Sequence, residues 1–356
     1  MERFVYVGTY TQDILFGTGE VLKGRGEGIY RLRQDTATGL LAPDALWRGI
    51  ENPSFLTLNA RGDRLYAVNE LKSYNGAFGG SVSAFGICGG QLLPLGRLGT
   101  GGTDPCHVAL GEDERTLYAA NFMSGSVAVF RLDANGGVAE RTQLICHEGR
   151  SVNPQRQQGP HAHSVVLRDG RAFVPDLGLD RVLCYGIEAD GTLTAQPARD
   201  YHARPGSGPR HLAFARDGKT AYVMNELDST VTAVRYSADG VPGGAISLST
   251  LPPEGSQTST GACIRLNRAG TYLYASNRGH NSIAVFRVAD GAFEQAGCYD
   301  CHGAIPRDFA ITPDDRFLIC ANQSSDALSV FALDAQTGAL RLIQTYPLPT
   351  PVCVAV

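Results

Sequence analysis

The sequence predicts an all-β fold: a seven-bladed β-propeller of four-stranded antiparallel blades. In this reading residues 1–356 form a single domain, and the C-terminal strand closes the ring by joining the N-terminal blade. Three observations carry the prediction. A strand–turn–strand–strand unit recurs with a period of about 50 residues. The 43 glycines fall in turns, singly and in pairs, as tight-turned β structure requires. The two chain ends match complementary parts of one further unit.

The complete units open at NPSFLTLNARGDRLYAVNE (52–70), DPCHVALGEDERTLYAANF (104–122) and GPHAHSVVLRDGRAFVPDL (159–177). They continue at GPRHLAFARDGKTAYVMNE (208–226), TGACIRLNRAGTYLYASNR (260–278) and IPRDFAITPDDRFLICANQ (305–323). In each, an apolar strand meets a polar turn such as Arg168-Asp169-Gly170 and returns as a second strand ending in Asn or Asp. Third strands follow as GSVSAFGI, GSVAVFRL, DRVLCYGI, STVTAVRY, NSIAVFRV and DALSVFAL. A weaker fourth strand comes after turns such as Asp334-Ala335-Gln336-Thr337-Gly338. No 3.6-residue helical period competes with this pattern. At the N-terminus, RFVYVGTYT and GEGIYRLRQDTATG read as second and third strands without a first. At the C-terminus, TPVCVAV reads as a first strand and stops. Joined, they make the seventh blade and remove its open edge.

Composition narrows the function. With 43% hydrophobic and 19% charged residues, a net charge of −4 and no long basic run, neither nucleic acid nor a membrane surface is expected as a partner. No stretch approaches the ~18 apolar residues of a membrane span. Met1-Glu2-Arg3-Phe4 runs straight into a strand pattern without the features of an export signal, so a cytoplasmic location is expected. Nine cysteines show no disulfide spacing, and several in apolar strands, such as Cys184 and Cys320, read as buried thiols.

In a blade, the start of the first strand and the end of the second share one rim of the central channel. The first strands bring two columns there: Ser54, Cys106, Ala162, Arg210, Ala262, Arg307, Val352, and Phe55, His107, His163, His211, Cys263, Asp308, Cys353. The second strands bring Tyr10, Glu70, Phe122, Leu177, Glu226, Arg278 and Gln323. A structural repeat would place one residue type per column, whereas these hold His, Arg and carboxylates in different blades, which points to a site. The Asn/Asp column (Asn69, Asn121, Asp176, Asn225, Asn277, Asn322) repeats in kind and reads as structural, bonding backbone at strand ends. Asp176, Asn225 and Asn277 keep a functional reading beside it. Cys298-Tyr299-Asp300-Cys301-His302 matches the C-x-x-C-H of haem attachment but falls between two blades and reads as a chance match. Cys146-His147 would complete a zinc set with Cys298 and Cys301 only by a geometry the sequence does not support. No dinucleotide, phosphate-loop or nucleophile-elbow motif is present, and neither cofactor nor metal is expected.

The chain resembles the seven-bladed propeller lactonase family, which includes bacterial 6-phosphogluconolactonases and fungal carboxy-muconate lactonising enzymes. The resemblance lies in VNPQRQQGPHAHSV (152–165), VPDLGLDRV (174–182), GPRHLAF (208–214), VMNEL (223–227), SNRGHNSIAVF (276–286) and PRDFAITPDDRFLICANQ (306–323). GGSVSAF (79–85) and DPCHVAL (104–110) extend it through the chain. It implies a metal-free catalytic set on His163, Arg210, Glu226 and Arg278, with His161 beside His163. Lactone hydrolysis needs a base for water, charge stabilisation at the carbonyl oxygen and an acid for the leaving alkoxide. Either Glu226 or His163 is the base and the other the acid, while Arg210 and Arg278 suit a substrate carboxylate or phosphate. His161, His211, Glu70, Asp176, Asn225, Asn277, Arg307 and His107 are expected to contact the substrate. That substrate is a small-molecule lactone, with 6-phosphogluconolactone first and a carboxy-muconate the alternative. A non-catalytic binding scaffold is the reading from another class. The sequence does not reveal the oligomeric state.

Overall fold

The structure, a computed structural model, describes residues 1–16, 19–253, 258–288 and 293–356. Among them are seven four-stranded antiparallel sheets, the predicted number of blades, and two small hairpins, Ile14–Leu15 with Val21–Leu22 and Ser73–Tyr74 with Ala77–Phe78. The chain divides into two compact units.

One unit comprises Met1–Thr9, Gly24–Leu46 and Arg210–Val356. Its first sheet runs Pro351–Ala355, Glu2–Thr9, Gly28–Asp35 and Leu41–Arg48 in hydrogen-bonded order. Tyr6 faces Ala355 and Gly8 faces Cys353, so the split blade forms as the two ends predict. Three further sheets begin at the inner strands Pro209–Phe214, Thr260–Leu266 and Pro306–Ile311. Each packs on the next: Leu273, Ala275 and Phe286 meet Tyr222 and Met224, and Ile319 and Val330 meet Val5 and Val7. A sheet covered on both faces cannot alternate apolar with polar. Phe317–Asn322 is accordingly buried at every position, whereas the outer strand Pro242–Ser249 is largely exposed.

The other unit comprises Tyr10–Lys23 and Trp47–Pro209. Its sheets begin at Phe55–Leu58, Pro105–Leu110 and Val166–Arg168. The last of these inner strands is shorter than the sequence suggests, and the histidines expected on it precede it. Here the neighbouring strand, Arg171–Asp176, carries Pro175. His163 N donates to the Pro175 carbonyl at 3.0 Å. Proline has no N–H with which to return the bond, so the ladder lapses. An isolated bridge between Ala162 and Asp176 is what remains.

The Asn column makes the expected bonds to backbone for Asn69, Asn277 and Asn322, and hydroxyls are further partners. The asparagines mostly reach hydroxyls on the third strand: Asn69 accepts from Ser83 at 2.7 Å, and Asn225 donates to Thr230 and Thr232, each at 2.9 Å. Asn277 donates to Ser282 at 3.1 Å and Asn322 to Ser329 at 2.8 Å. Backbone carbonyls are a second set of partners, as for Asn69 at Glu51. The column therefore ties second to third strand within a blade.

Candidate active site

The rim residues owe their aim to a repeated irregularity. The ladder skips Cys106 between Pro105 and His107, Arg307 between Pro306 and Asp308, and Val352 between Pro351 and Cys353. A further shift spans Ala262 and Cys263. A bulge bends the strand and turns one side chain out of its alternation. Four members of the first rim column thus lie at bulges.

In the first unit, Arg210, Glu226 and Arg278 form a buried ionic cluster. Arg210 Nε lies 3.2 Å and Arg278 Nη2 2.9 Å from the same oxygen, Glu226 Oε2. Glu226 is 3% and Arg210 2% exposed. The bulged segment anchors both guanidinium groups: Arg210 Nη1 donates to the Ala262 carbonyl at 2.7 Å and Arg278 Nη2 to the Gly261 carbonyl at 2.9 Å. Gly261 N donates in turn to the Glu226 carbonyl at 2.9 Å. Arg210 Nη1 also lies 3.2 Å from His211 Nε2, which must accept because a guanidinium only donates. Both guanidinium groups thus converge on a single carboxylate oxygen.

Gly261 has no room for a side chain. A Cβ there would strike the Met224 methyl group and stand 2.8 Å from the Asn225 carbonyl oxygen. Gly261→Ala is expected to shift both carbonyl anchors and lower kcat/KM by roughly 10²-fold, the scale of an ångström of misplacement. Wild-type kinetics in that variant would show that the anchors do not position the arginines.

In the second unit, the histidines sit against aromatic rings. His161 stacks on Phe122 with centroids 4.7 Å apart, and His163 meets the same ring edge-on at 5.2 Å. His107 packs on Phe55 at 4.2 Å. Asp176 holds the start of the histidine segment: its Oδ1 accepts from His161 N at 2.7 Å, Gly178 N at 3.0 Å and Leu179 N at 3.1 Å. Its Oδ2 lies 2.6 Å from His147 Nδ1. A Cβ on Gly178 would strike the Gly159 carbonyl, so the loop before His161 needs that glycine.

Tyr10 donates to Glu70 Oε2 at 2.9 Å. Nearby, burial and then the charge of Glu70 push the Asp104 carboxyl up to about 7, against the opposing pull of Lys72. Among the described residues, no hydrogen-bond partner reaches the buried Asp104 Oδ2. Between the ordinary carboxylate range and pH about 7, the unfolded chain ionises this group and the folded chain does not. Stability therefore falls as pH rises through that window. Asp104→Asn keeps the shape and tolerates the left-handed φ of 53°. The variant should raise the thermal midpoint more at about pH 8 than at about pH 5. An equal change at both would place the proton elsewhere.

The structure thus gathers Arg210, His211, Glu226 and Arg278 in one unit and His107, His161 and His163 in the other. Arg307 reaches Gln323 at 3.5 Å. Asp176 and Asn277, both fully buried, make hydrogen bonds to internal partners. Asn225 donates both amide protons within its own blade. Sequence reasoning passed over Cys106, although it adjoins His107 in the rim column, and Asp104, just before it. It passed over His147 as a partner of Asp176, and 29 residues of separation left no local signal. The C-x-x-C-H match is set aside: Cys301 is core-packed with its thiol donating to the Gly303 carbonyl at 3.2 Å. Among the described residues no group of three or more His, Cys, Asp or Glu side chains is arranged to hold a metal ion.

Comparison with known proteins agrees with this architecture. A family model described as "Lactonase, 7-bladed beta-propeller" matches residues 4–356. The chain is 33% identical over 363 residues to a 6-phosphogluconolactonase of Bacillus subtilis (strain 168), covering 99% of this chain and 98% of the relative. It is 30% identical over 349 residues to a 6-phosphogluconolactonase of Formosa agariphila, covering 95% and 94%. Among solved structures, a Lactobacillus plantarum protein superposes with TM-score 0.89 at 32% identity over 99% of both chains. A Pseudomonas aeruginosa protein described as a periplasmic gluconolactonase gives 0.88 at 30% identity, covering 100% of this chain and 99% of that one.

Proposed function

The chain belongs to the seven-bladed β-propeller lactonase family, and on that premise we propose that it hydrolyses 6-phosphogluconolactone to 6-phosphogluconate. The observation that carries this reading is the Arg210–Glu226–Arg278 cluster, whose two guanidinium groups are anchored on backbone carbonyls. Guanidinium groups fixed in this way need no reorganisation to meet an anion, whether a substrate phosphate or the oxyanion formed when water adds to the lactone carbonyl. His163 and Glu226 carry the proton transfers: one takes a proton from the attacking water and the other returns one to the ring oxygen as the C–O bond breaks. Two relatives named 6-phosphogluconolactonase support the phosphorylated substrate.

The test is hydrolysis of 6-phosphogluconolactone, generated in place and followed against its spontaneous rate, beside unphosphorylated gluconolactone and a carboxymuconolactone. The phosphorylated lactone should show the highest kcat/KM. A phosphorylated lactone that opens no faster than in buffer would reject the proposal, and preference for either other substrate would redefine it. Nine free cysteines support a cytoplasmic location. No described helix is long and apolar enough to cross a membrane. Cell fractionation decides the location, with recovery outside the cytoplasm overturning it.

A further inference from the structure

We propose that Cys106 is a positioning residue that fixes the tautomer of His163, holding the proton on Nδ1 and the lone pair on Nε2; this rests on the proposed catalytic role of His163. The argument begins with Pro175. His163 and Pro175 stand as a pair in which His163 N donates to the Pro175 carbonyl at 3.0 Å. In a regular antiparallel pair the partner's N–H would donate back to the His163 carbonyl. Proline has no such proton. The Cys106 thiol supplies a proton instead: its Sγ donates to the His163 carbonyl at 3.3 Å.

A thiol has one proton. The other carbonyls near Cys106, Ala120 and Ala162, stand at 3.8 Å each, so the proton is best spent on His163. The remaining face of the sulfur, which carries lone pairs, lies 3.7 Å from His163 Nδ1. Sulfur is a weak acceptor, and an N–H at Nδ1 satisfies it, whereas an Nδ1 lone pair would face sulfur lone pairs. The tautomer of an imidazole is set by the bond that its other nitrogen makes. Proton exchange with water or substrate is thereby assigned to Nε2.

The bulge makes this contact available. Cys106 is the extra residue between Pro105 and His107, released from the alternation of its own strand toward the neighbouring blade. It is 6% exposed, which keeps water from competing for the imidazole. The Phe122 ring, edge-on to His163, fixes the ring plane. Sulfur at Nδ1 and an aromatic edge therefore act on the imidazole, while the thiol proton holds the backbone that carries it.

The experiment is a long-range ¹H–¹⁵N correlation spectrum of the full-length protein labelled at histidine. It is recorded above the imidazole titration, and the His163 signals are assigned by their loss in His163→Gln. Wild type should show Nδ1 as pyrrole-type and Nε2 as pyridine-type nitrogen. Cys106→Ala should give a mixture of tautomers and lower kcat by roughly tenfold with KM little changed, the pattern of a misdirected proton-transfer group. Cys106→Ser keeps an acceptor and a donor in place and should restore both spectrum and rate. Pyridine-type Nδ1 in wild type would overturn the inference, as would an unchanged tautomer in Cys106→Ala. The catalytic reading is tested separately: normal turnover in His163→Gln would remove the role of His163 itself, whatever the spectra show.

Discussion

Glu226→Gln is expected to lower kcat on the preferred lactone by roughly 10²–10⁴-fold, the range for losing a positioned proton-transfer group. The same change should destabilise the protein. Both arginines point at Glu226 Oε2, at 3.2 and 2.9 Å, and Arg210 is buried. A neutral amide removes the negative charge that Glu226 presents to both guanidinium groups. Removing one partner of a buried ion pair costs about 3–5 kcal/mol, because the remaining charge stays desolvated. The two effects separate by measurement: initial rates well below the variant's unfolding midpoint report chemistry, and the thermal midpoint reports the ion cluster. A lowered midpoint with near-normal turnover would make Glu226 a scaffold for the arginines and leave the proton transfer to other groups. Unchanged values for both would remove the cluster from the function altogether.

Deleting residues 351–356 is expected to abolish cooperative folding. The strand Pro351–Ala355 supplies Val352, Cys353 and Val354, which are 1%, 1% and 3% exposed. Burial of an aliphatic side chain contributes about 1.5–3 kcal/mol, so these residues together approach a large part of the 5–15 kcal/mol that holds a typical domain folded. Two further losses add to this. Val354 N donates to Asp308 Oδ2 at 3.0 Å, and deletion leaves that buried carboxylate with one fewer donor. The strand Glu2–Thr9, paired through Tyr6–Ala355 and Gly8–Cys353, would present an open apolar edge. Circular dichroism on heating, together with soluble yield, reads the result. A truncated chain with a wild-type melting transition would show that this pairing contributes little.

The fold was legible because its information is local and repeated. Each second strand, such as FLICAN or TLYAAN, is a continuous apolar run since blades cover both of its faces. Outer strands are the more exposed ones because they border water, as in Pro242–Ser249. The complement between RFVYVGTYT and TPVCVAV was equally plain, as both halves of one blade pattern stand in the sequence. Arg210, Glu226 and Arg278 could be nominated because a column that varies from blade to blade is not explained by packing.

Their roles were less legible. That two arginines share one oxygen of Glu226 depends on the Gly261–Ala262 carbonyls, which a ladder shift brings into reach. That Asp176 holds His161 by its backbone and His147 by its ring follows from a bridge no periodic pattern encodes. The Asn column illustrates the boundary: its repetition marked it as structural, yet its hydroxyl partners emerged only when Asn225 faced Thr230 and Asn277 faced Ser282 across paired strands.

The sequence by itself determined the class of fold, the number of blades, the closure of the first by the last strand and the residues worth nominating for a site. These follow from repeated apolar runs and turn chemistry, which act over a few neighbouring residues. Only the tertiary structure decided which side chains meet, which nitrogen of His163 faces a sulfur, and which expected contacts turned inward to hold the backbone. Those outcomes rest on bulges, on the missing N–H of Pro175 and on pairings between residues tens of positions apart, where a displacement of one residue redirects a side chain.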